Sequence, residues 1–214
     1  PLHGVPVGVK DIIATADMPT GMGSPIYQGH RPLNDAACVA QIRAAGAVVL
    51  GKTVTVEFAG MAPPPPCNPH DPTRTPGGSS SGSGAAVGGG MVPLALGSQT
   101  VGSVLRPASF CGAWAMKPSW GLIPRSGMLQ LSHTLDHIGV YGRSAEDLAL
   151  IVDVLSGDDG RDPASQAQKP SRLSAGLTGQ PVAKPRFVFL RDYAWPEIEP
   201  SSAELFQGLA ERVG

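Results

Sequence analysis

The sequence predicts an α/β fold, with helices and strands layered about one core. Two observations carry this. Short β-branched segments alternate with stretches of helical periodicity, which is the rhythm of a layered sheet-and-helix domain. Apolar residues make up 42% of the 214-residue chain, enough for a substantial core.

The first element is Val5 to Lys10, a short apolar strand that delivers Lys10 and Asp11 at its end. Asn34 is placed to cap a helix over 35–45, with Ala36, Val39, Ala40 and Ile42 near helical spacing and Gly46 as its stop. AVVLGK, from Ala47 to Lys52, follows as a buried strand. The proline-rich stretch PPPPCNPHDPTRTPGG, residues 63–78, excludes regular structure and predicts an extended surface crossing.

The next stretch, TPGGSSSGSGAAVGGG from Thr75 to Gly90, has the composition of a flexible linker. From Gly84 onward, however, small and apolar residues alternate without charges, which predicts a tightly packed helix and then a buried strand through PLALG. Ser144 and Asp147, followed by Leu148, Ile151, Val152 and Leu155, predict a capped amphipathic helix that Gly157 ends. RFVFL at 186–190 reads as a strand, and a last helix begins near Ser201. These segments give a core over 1–163, a polar linker or surface loop over 164–185, and over 186–214 the start of a C-terminal part of the same domain. Because PLHGVPVGVKDII begins in what reads as the interior of a folded protein, the chain is expected to be a fragment.

A net charge of −1 and 5% aromatic residues offer neither a basic stripe nor a stacking platform, which argues against nucleic acid as a direct partner. No signal-peptide pattern or membrane-length apolar run is visible, so no membrane partner is expected and a cytoplasmic location is. Cys38, Cys67 and Cys111 are far apart without a CxxC pair, which predicts reduced thiols rather than disulfides or a zinc site.

Two glycine/serine-rich turns, GGSSSGSG and GSQTVGS, lie on either side of a small-residue helix and a strand, and Lys10 ends an earlier strand. A serine becomes a nucleophile only when a base removes its proton, and an uncharged lysine can be that base. On its own segment Ser103 reads as a structural turn serine and Lys10 as a snorkelling strand-end lysine. Together they suggest a serine/lysine catalytic unit that needs no histidine.

GVPVGVKD, TPGGSSSGSGAAVGGGMVPLALGSQTVGSVLRPASFCG and the following KPSWG closely resemble the amidase signature family, with the motifs in matching order and spacing over roughly 2–163. The resemblance implies the amidase-signature fold, a mixed β-sheet core flanked by α-helices on both faces, and hydrolysis of an amide through a seryl acyl-enzyme, without metal or organic cofactor. It makes Ser103 the nucleophile, Ser79 the bridging serine and Lys10 the base, with a cis peptide at Gly78–Ser79. The amides of Thr100, Val101, Gly102 and Ser103 would form the oxyanion hole, supported by Gly78, Ser80 and Gln99. The partner is then a small-molecule amide, and the resemblance admits a homodimer. A lysine must be desolvated to act as base near neutral pH, and the apolar flanks in PVGVKDII suit that. Asp11 need not pair with Lys10, since strand neighbours point to opposite faces.

The departures narrow the resemblance. Gln99 stands where the family often has an acid, Val101 where it has glycine, and Arg106 falls three residues after Ser103 rather than two. This pattern looks like the malonamidase-type branch and weakens assignment to the glutaminase component of the tRNA-dependent amidotransferase. Arg106 reads equally as a grip on a substrate carboxylate or as an internal ion pair or loop anchor. An inert or binding-only fragment is the reading outside enzymes. GAVVLGKT matches a phosphate-loop expression, but its loop positions read as strand. His133 and His137, four apart around Asp136, lack a third metal ligand and read as loop or core histidines. Asp158, Asp159 and Asp162 read as a solvated acidic group.

Overall fold

A computed structural model describes the chain except for 63–66, 167–168, 178–185 and 214. The start of the expected proline-rich crossing, 63–66, lies outside the described residues; the remainder, 67–78, forms no helix or strand and is mostly exposed, with Asn68, Pro76 and Gly77 buried. The chain divides into two compact units, Pro1–Leu177 and Thr178–Gly214.

The first unit is built on a five-stranded mixed sheet ordered β2-β1-β3-β5-β4. Its strands are β1 (Pro6–Lys10), β2 (Val48–Thr53), β3 (Leu94–Gln99), β4 (Trp114–Met116) and β5 (His137–Gly142). β1 runs parallel to β2 and β3, and β5 runs antiparallel to β3 and β4. Successive strand residues face opposite ways, so β3 serves two cores. Leu94 and Leu96 join Val7, Val9, Ile138 and Val140 beneath α1 (Ala37–Ala44) and α4 (Ala145–Leu155). Ala95 meets Tyr141, Val87 of α2 (Ser81–Gly88) and Ala108 of α3 (Leu105–Cys111) on the other face. Helices thus cover both faces, as the family resemblance implies.

α4 is the most faithful element. Ser144 Oγ accepts from Asp147 N at 3.1 Å, the apolar positions Leu148, Ile151, Val152 and Leu155 are buried, and Ser156 caps the end beside Gly157. α1 starts later than its cap signal predicts. Ala36 is the N-cap and no side chain caps it; the adjacent Asp35 instead accepts from Ala16 N and pairs with Arg43 at 3.0 Å. β2 is an edge strand rather than a buried one, so Val48 and Leu50 face outward while Val49 faces the core. Its residues fill the positions a phosphate loop would need, which removes that reading.

The acidic group is corrected in part, since Asp158 is exposed as expected while Asp162 is not. Asp162 is buried and holds the buried Arg125 through Nε and Nη2, each at 2.9 Å, which drives its carboxyl down to about 2. Polar composition alone could not reveal this pairing, because its partner lies 37 positions earlier. The short α5 (Leu173–Gly176) follows. In the second unit α6 (Pro200–Val213) forms where the last helix is expected. Residues 186–190 form no strand, and Phe187, Val188, Phe189 and Leu190 are exposed. Among the described residues no helix is long and apolar enough to cross a membrane.

Candidate active site

Lys10 is the side chain around which the site is built. It ends β1 with no exposed surface, and its Nζ lies 2.7 Å from Ser79 Oγ, 2.8 Å from Ser98 Oγ and 3.5 Å from the Ser98 carbonyl. Burial holds its pKa well below the ordinary lysine value, and the Asp136 carboxylate opposes that shift without reversing it. Asp11 turns away and pairs with Lys52 at 3.0 Å, as strand alternation implies.

Ser79 stands at the turn into α2 and is itself buried, with a cis peptide before it at Gly78–Ser79. The turn is fastened on several sides. Val56 N donates to the Ser79 carbonyl at 3.1 Å, and Ser80 N donates to the Ser103 carbonyl at 3.1 Å. Ser80 Oγ donates to the Ser98 carbonyl and accepts from Ser98 N. Gly97 makes room for this, because a Cβ there would stand 2.8 Å from both Ser80 Oγ and the Tyr141 ring. The structure thus brings the Lys10, Ser79 and Ser103 segments together through direct contacts among 10, 79, 80, 98 and 103.

The turn from β3 into α3 carries Thr100 to Ser103. Gln99 is its brace: Nε2 donates to the Val101 carbonyl, and Oε1 accepts from Val104 N and Leu105 N at 2.8 and 2.9 Å. A carboxylate could accept both amides but could not donate to Val101, so glutamine suits this turn. Val101 itself is exposed and Ser103 half-buried. Arg106, on the first turn of α3, donates from Nε to the Gly78 carbonyl at 3.0 Å. It lines a cavity of about 370 Å³ with Val56, Met61, Thr75, Gly78 and Phe110. One contact of the loop-anchor reading is therefore present, on the peptide that precedes Ser79.

Two contributors went unrecognised in the sequence. Ser98 is the second hydroxyl on Lys10; its signal was the spacing from Ser79 across a helix and a strand, which the motif GSQTVGS absorbs. Asp136 stands out in the sequence only as the residue between two histidines. His137 has Nδ1 2.6 Å from the Leu135 carbonyl and Nε2 3.2 Å from Lys117 Nζ, and burial lowers its pKa. Among the described residues no group of three or more His, Cys, Asp or Glu is placed to hold a metal. Cys38, Cys67 and Cys111 are free thiols.

The sequence matches the Amidase family model over residues 1–213. It is 44% identical over 180 residues to a Mycobacterium tuberculosis protein named as a candidate amidase, AmiD, covering 82% of this chain and 38% of that one. It is 45% identical over 186 residues to a glutamyl-tRNA(Gln) amidotransferase subunit of Thermus thermophilus, covering 84% and 39%. The structure superposes on the peptide amidase of Stenotrophomonas maltophilia with a TM-score of 0.78 at 36% identity, covering 83% of this chain and 39% of that one. The chain thus spans about two-fifths of the length of these relatives.

Proposed function

The chain belongs to the Amidase family, and from that premise we propose that it carries the catalytic core of an enzyme cleaving the C–N bond of a small carboxylic amide, by way of a Ser103 acyl-enzyme. The observation that carries the reading is a fully buried Lys10 within 2.7 Å of the Ser79 hydroxyl. Neutral Lys10 accepts the Ser79 proton while Ser79 takes the proton of Ser103, whose Oγ bonds to the carbonyl carbon. The amides of Thr100 to Ser103 receive the negative oxygen of the tetrahedral intermediate. The proton returns through Ser79 to the nitrogen as the C–N bond breaks, releasing ammonia or an amine. Water then attacks the ester, giving one proton to the same relay, which returns it to Ser103 as the alcohol leaves, and the carboxylic acid departs and loses its remaining proton to solvent. Arg106, at the cavity wall, would receive a carboxylate on the acyl side.

Similarity to the amidotransferase protein supports a second reading, a glutaminase whose ammonia passes to a partner. The two separate by experiment. Ammonia release would be measured from malonamate, neutral aliphatic amides and glutamine, with native chain, Ser103→Ala and Arg106→Ala. Turnover of a simple amide without a partner, lowered about 1,000-fold or more by Ser103→Ala, supports the amidase. Release from glutamine alone favours the glutaminase, and an unchanged acidic-to-neutral preference in Arg106→Ala removes the carboxylate role. A folded chain inert towards the whole panel would count against both for this span of the protein.

A further inference from the structure

We propose that Asp136 is a positioning residue for the Ser103 chemistry: its carboxylate clamps the Thr100 hydroxyl and so fixes the turn whose amides face the reacting oxygen. This rests on the amidase reading and adds to it a residue outside the serine/lysine unit.

The placement follows from strand register. Gln99 is opposite His137 in the antiparallel pairing of β3 and β5, so Thr100 and Asp136 are the next pair beyond the ladder. Asp136 is almost fully buried, and its Oδ1 accepts the Thr100 Oγ1 hydrogen at 2.6 Å. Its Oδ2 accepts Leu131 N at 2.6 Å and Ser132 N at 3.0 Å. A carboxylate with three donors is locked in orientation, and short contacts to an ionised acceptor are the strong kind. The loop is locked from behind as well. Arg125 Nη1 donates to the carbonyls of His133 at 2.7 Å and Asp136 at 3.3 Å, while Asp162 holds the same guanidinium. A rigid chain of contacts therefore runs from Asp162 through Arg125 and Asp136 to Thr100. With Gln99 gripping the far side of the turn, residues 100–103 are held at both ends.

A carboxylate used merely to close the 131–136 loop would satisfy Leu131 and Ser132 and would have no need of Thr100. The clamp also places a negative charge near Lys10, which favours the protonated amine. The groups touching Lys10, Ser79 and Ser98, are uncharged. The other charges beside Asp136 are Arg125, paired with Asp162, and Lys117, at His137; Asp11 is paired with Lys52.

Phenylmethylsulfonyl fluoride tests this without knowledge of the substrate. Ser103 Oγ bonds to sulfur, the S–F bond breaks, fluoride leaves and the serine proton passes through Ser79 to Lys10. The rate of Ser103 sulfonylation, located by peptide mass spectrometry, would be followed against pH in native chain, Thr100→Val, Thr100→Ser, Asp136→Asn and Ser103→Ala. Thr100→Val should react about 10-fold slower or worse, since misplaced oxyanion donors lose rate, with the pH midpoint unmoved, and Thr100→Ser should recover most of the rate. Asp136→Asn should react more slowly at its plateau and move the acid limb to lower pH by about half a unit or more, which a purely structural role would not do. Equal rates in native chain and Thr100→Val overturn the clamp, as does an unmoved acid limb in folded Asp136→Asn. If Asp136→Asn does not fold, as judged by circular dichroism, the Thr100 pair decides alone. Native chain that leaves Ser103 unlabelled at every pH overturns the amidase reading and this inference with it, whereas labelling with no Thr100 or Asp136 effect overturns the inference only.

Discussion

Residues 75–90 have the composition of a linker, and residues 186–190 have the composition of a strand; the structure packs the first and leaves the second exposed. Four serines of the first stretch, Ser79, Ser80, Ser81 and Ser83, are buried. Each hydroxyl or peptide that matters has a partner. Ser83 Oγ donates to the Leu96 carbonyl at 2.8 Å, and Gly82 N donates to the Val54 carbonyl at 2.9 Å. In the second stretch Phe187, Val188 and Leu190 all lie mostly in solvent. Small residues become core when a backbone passes close enough to use them, and β-branched residues become a strand only when another strand offers its ladder. Composition describes what a segment can tolerate, and the partner decides.

Lys10, the proposed base beside the packed stretch, puts the contrast to its strongest test. Replacing it with methionine keeps the apolar volume and removes the base, so turnover should fall about 100- to 10,000-fold, measured as kcat on whichever amide the native chain accepts. Stability should move the other way. The folded pKa of Lys10 lies below its unfolded value, so between those two values the unfolded chain binds the extra proton and stability rises with pH. At pH values below the folded pKa the folded chain carries the full cost of a buried ammonium. Lys10→Met removes this dependence, and urea titrations at several pH values should show the methionine variant gaining most on the native chain at low pH and least near pH 10. A native chain whose stability ignored pH across that window would count against a neutral, buried Lys10.

The next largest effect comes from the helix itself. In an exposed helix, Gly→Ala stabilises by up to about 1 kcal/mol. In α2 the sign should reverse. A Cβ at Gly84 would stand 2.8 Å from the Pro107 carbonyl oxygen and 3.0 Å from its carbon, both backbone atoms of α3. Gly84→Ala should therefore destabilise by about 1–3 kcal/mol, the usual range for overpacking. Calorimetry reads this as a lower Tm, and a raised Tm would return the stretch to the status of a solvated spacer.

What the sequence disclosed divides along the same line. α4 was legible because its cap, its apolar stripe and its stop are all local. Lys10, Ser79 and Ser103 stand out in the sequence because their motifs are distinctive even though the residues are distant, and the structure brings their three segments together. Ser98 and Asp136 do not stand out, since their contacts with Lys10 and Thr100 depend on which strand ends meet, and that register is fixed by β1 and β5 packing against β3. Asp162 was misread for a related reason: a polar loop gives no sign that Arg125, far back in the chain, will be buried beneath it. Asn34 shows the opposite failure, a sound local cap signal overridden because Ala36 N and Ala37 N are taken by the carbonyls of Ala14 and Ser126.

The smallest expected effect belongs to the exposed stretch. Val188 is 86% exposed, so Val188→Ser removes almost no buried apolar area and should change stability by less than about 0.5 kcal/mol. The same replacement at Val87 of α2, which is buried against Ala95 and Tyr141, removes packed methyl groups and places an oxygen in an apolar site, and should cost several times more. Measuring both by urea denaturation sets like against like, since the residue change is identical and only the surroundings differ. Equal losses at the two positions would mean that 186–190 is packed against something in solution, and the contrast between the segments would then be one of missing partners rather than of sequence.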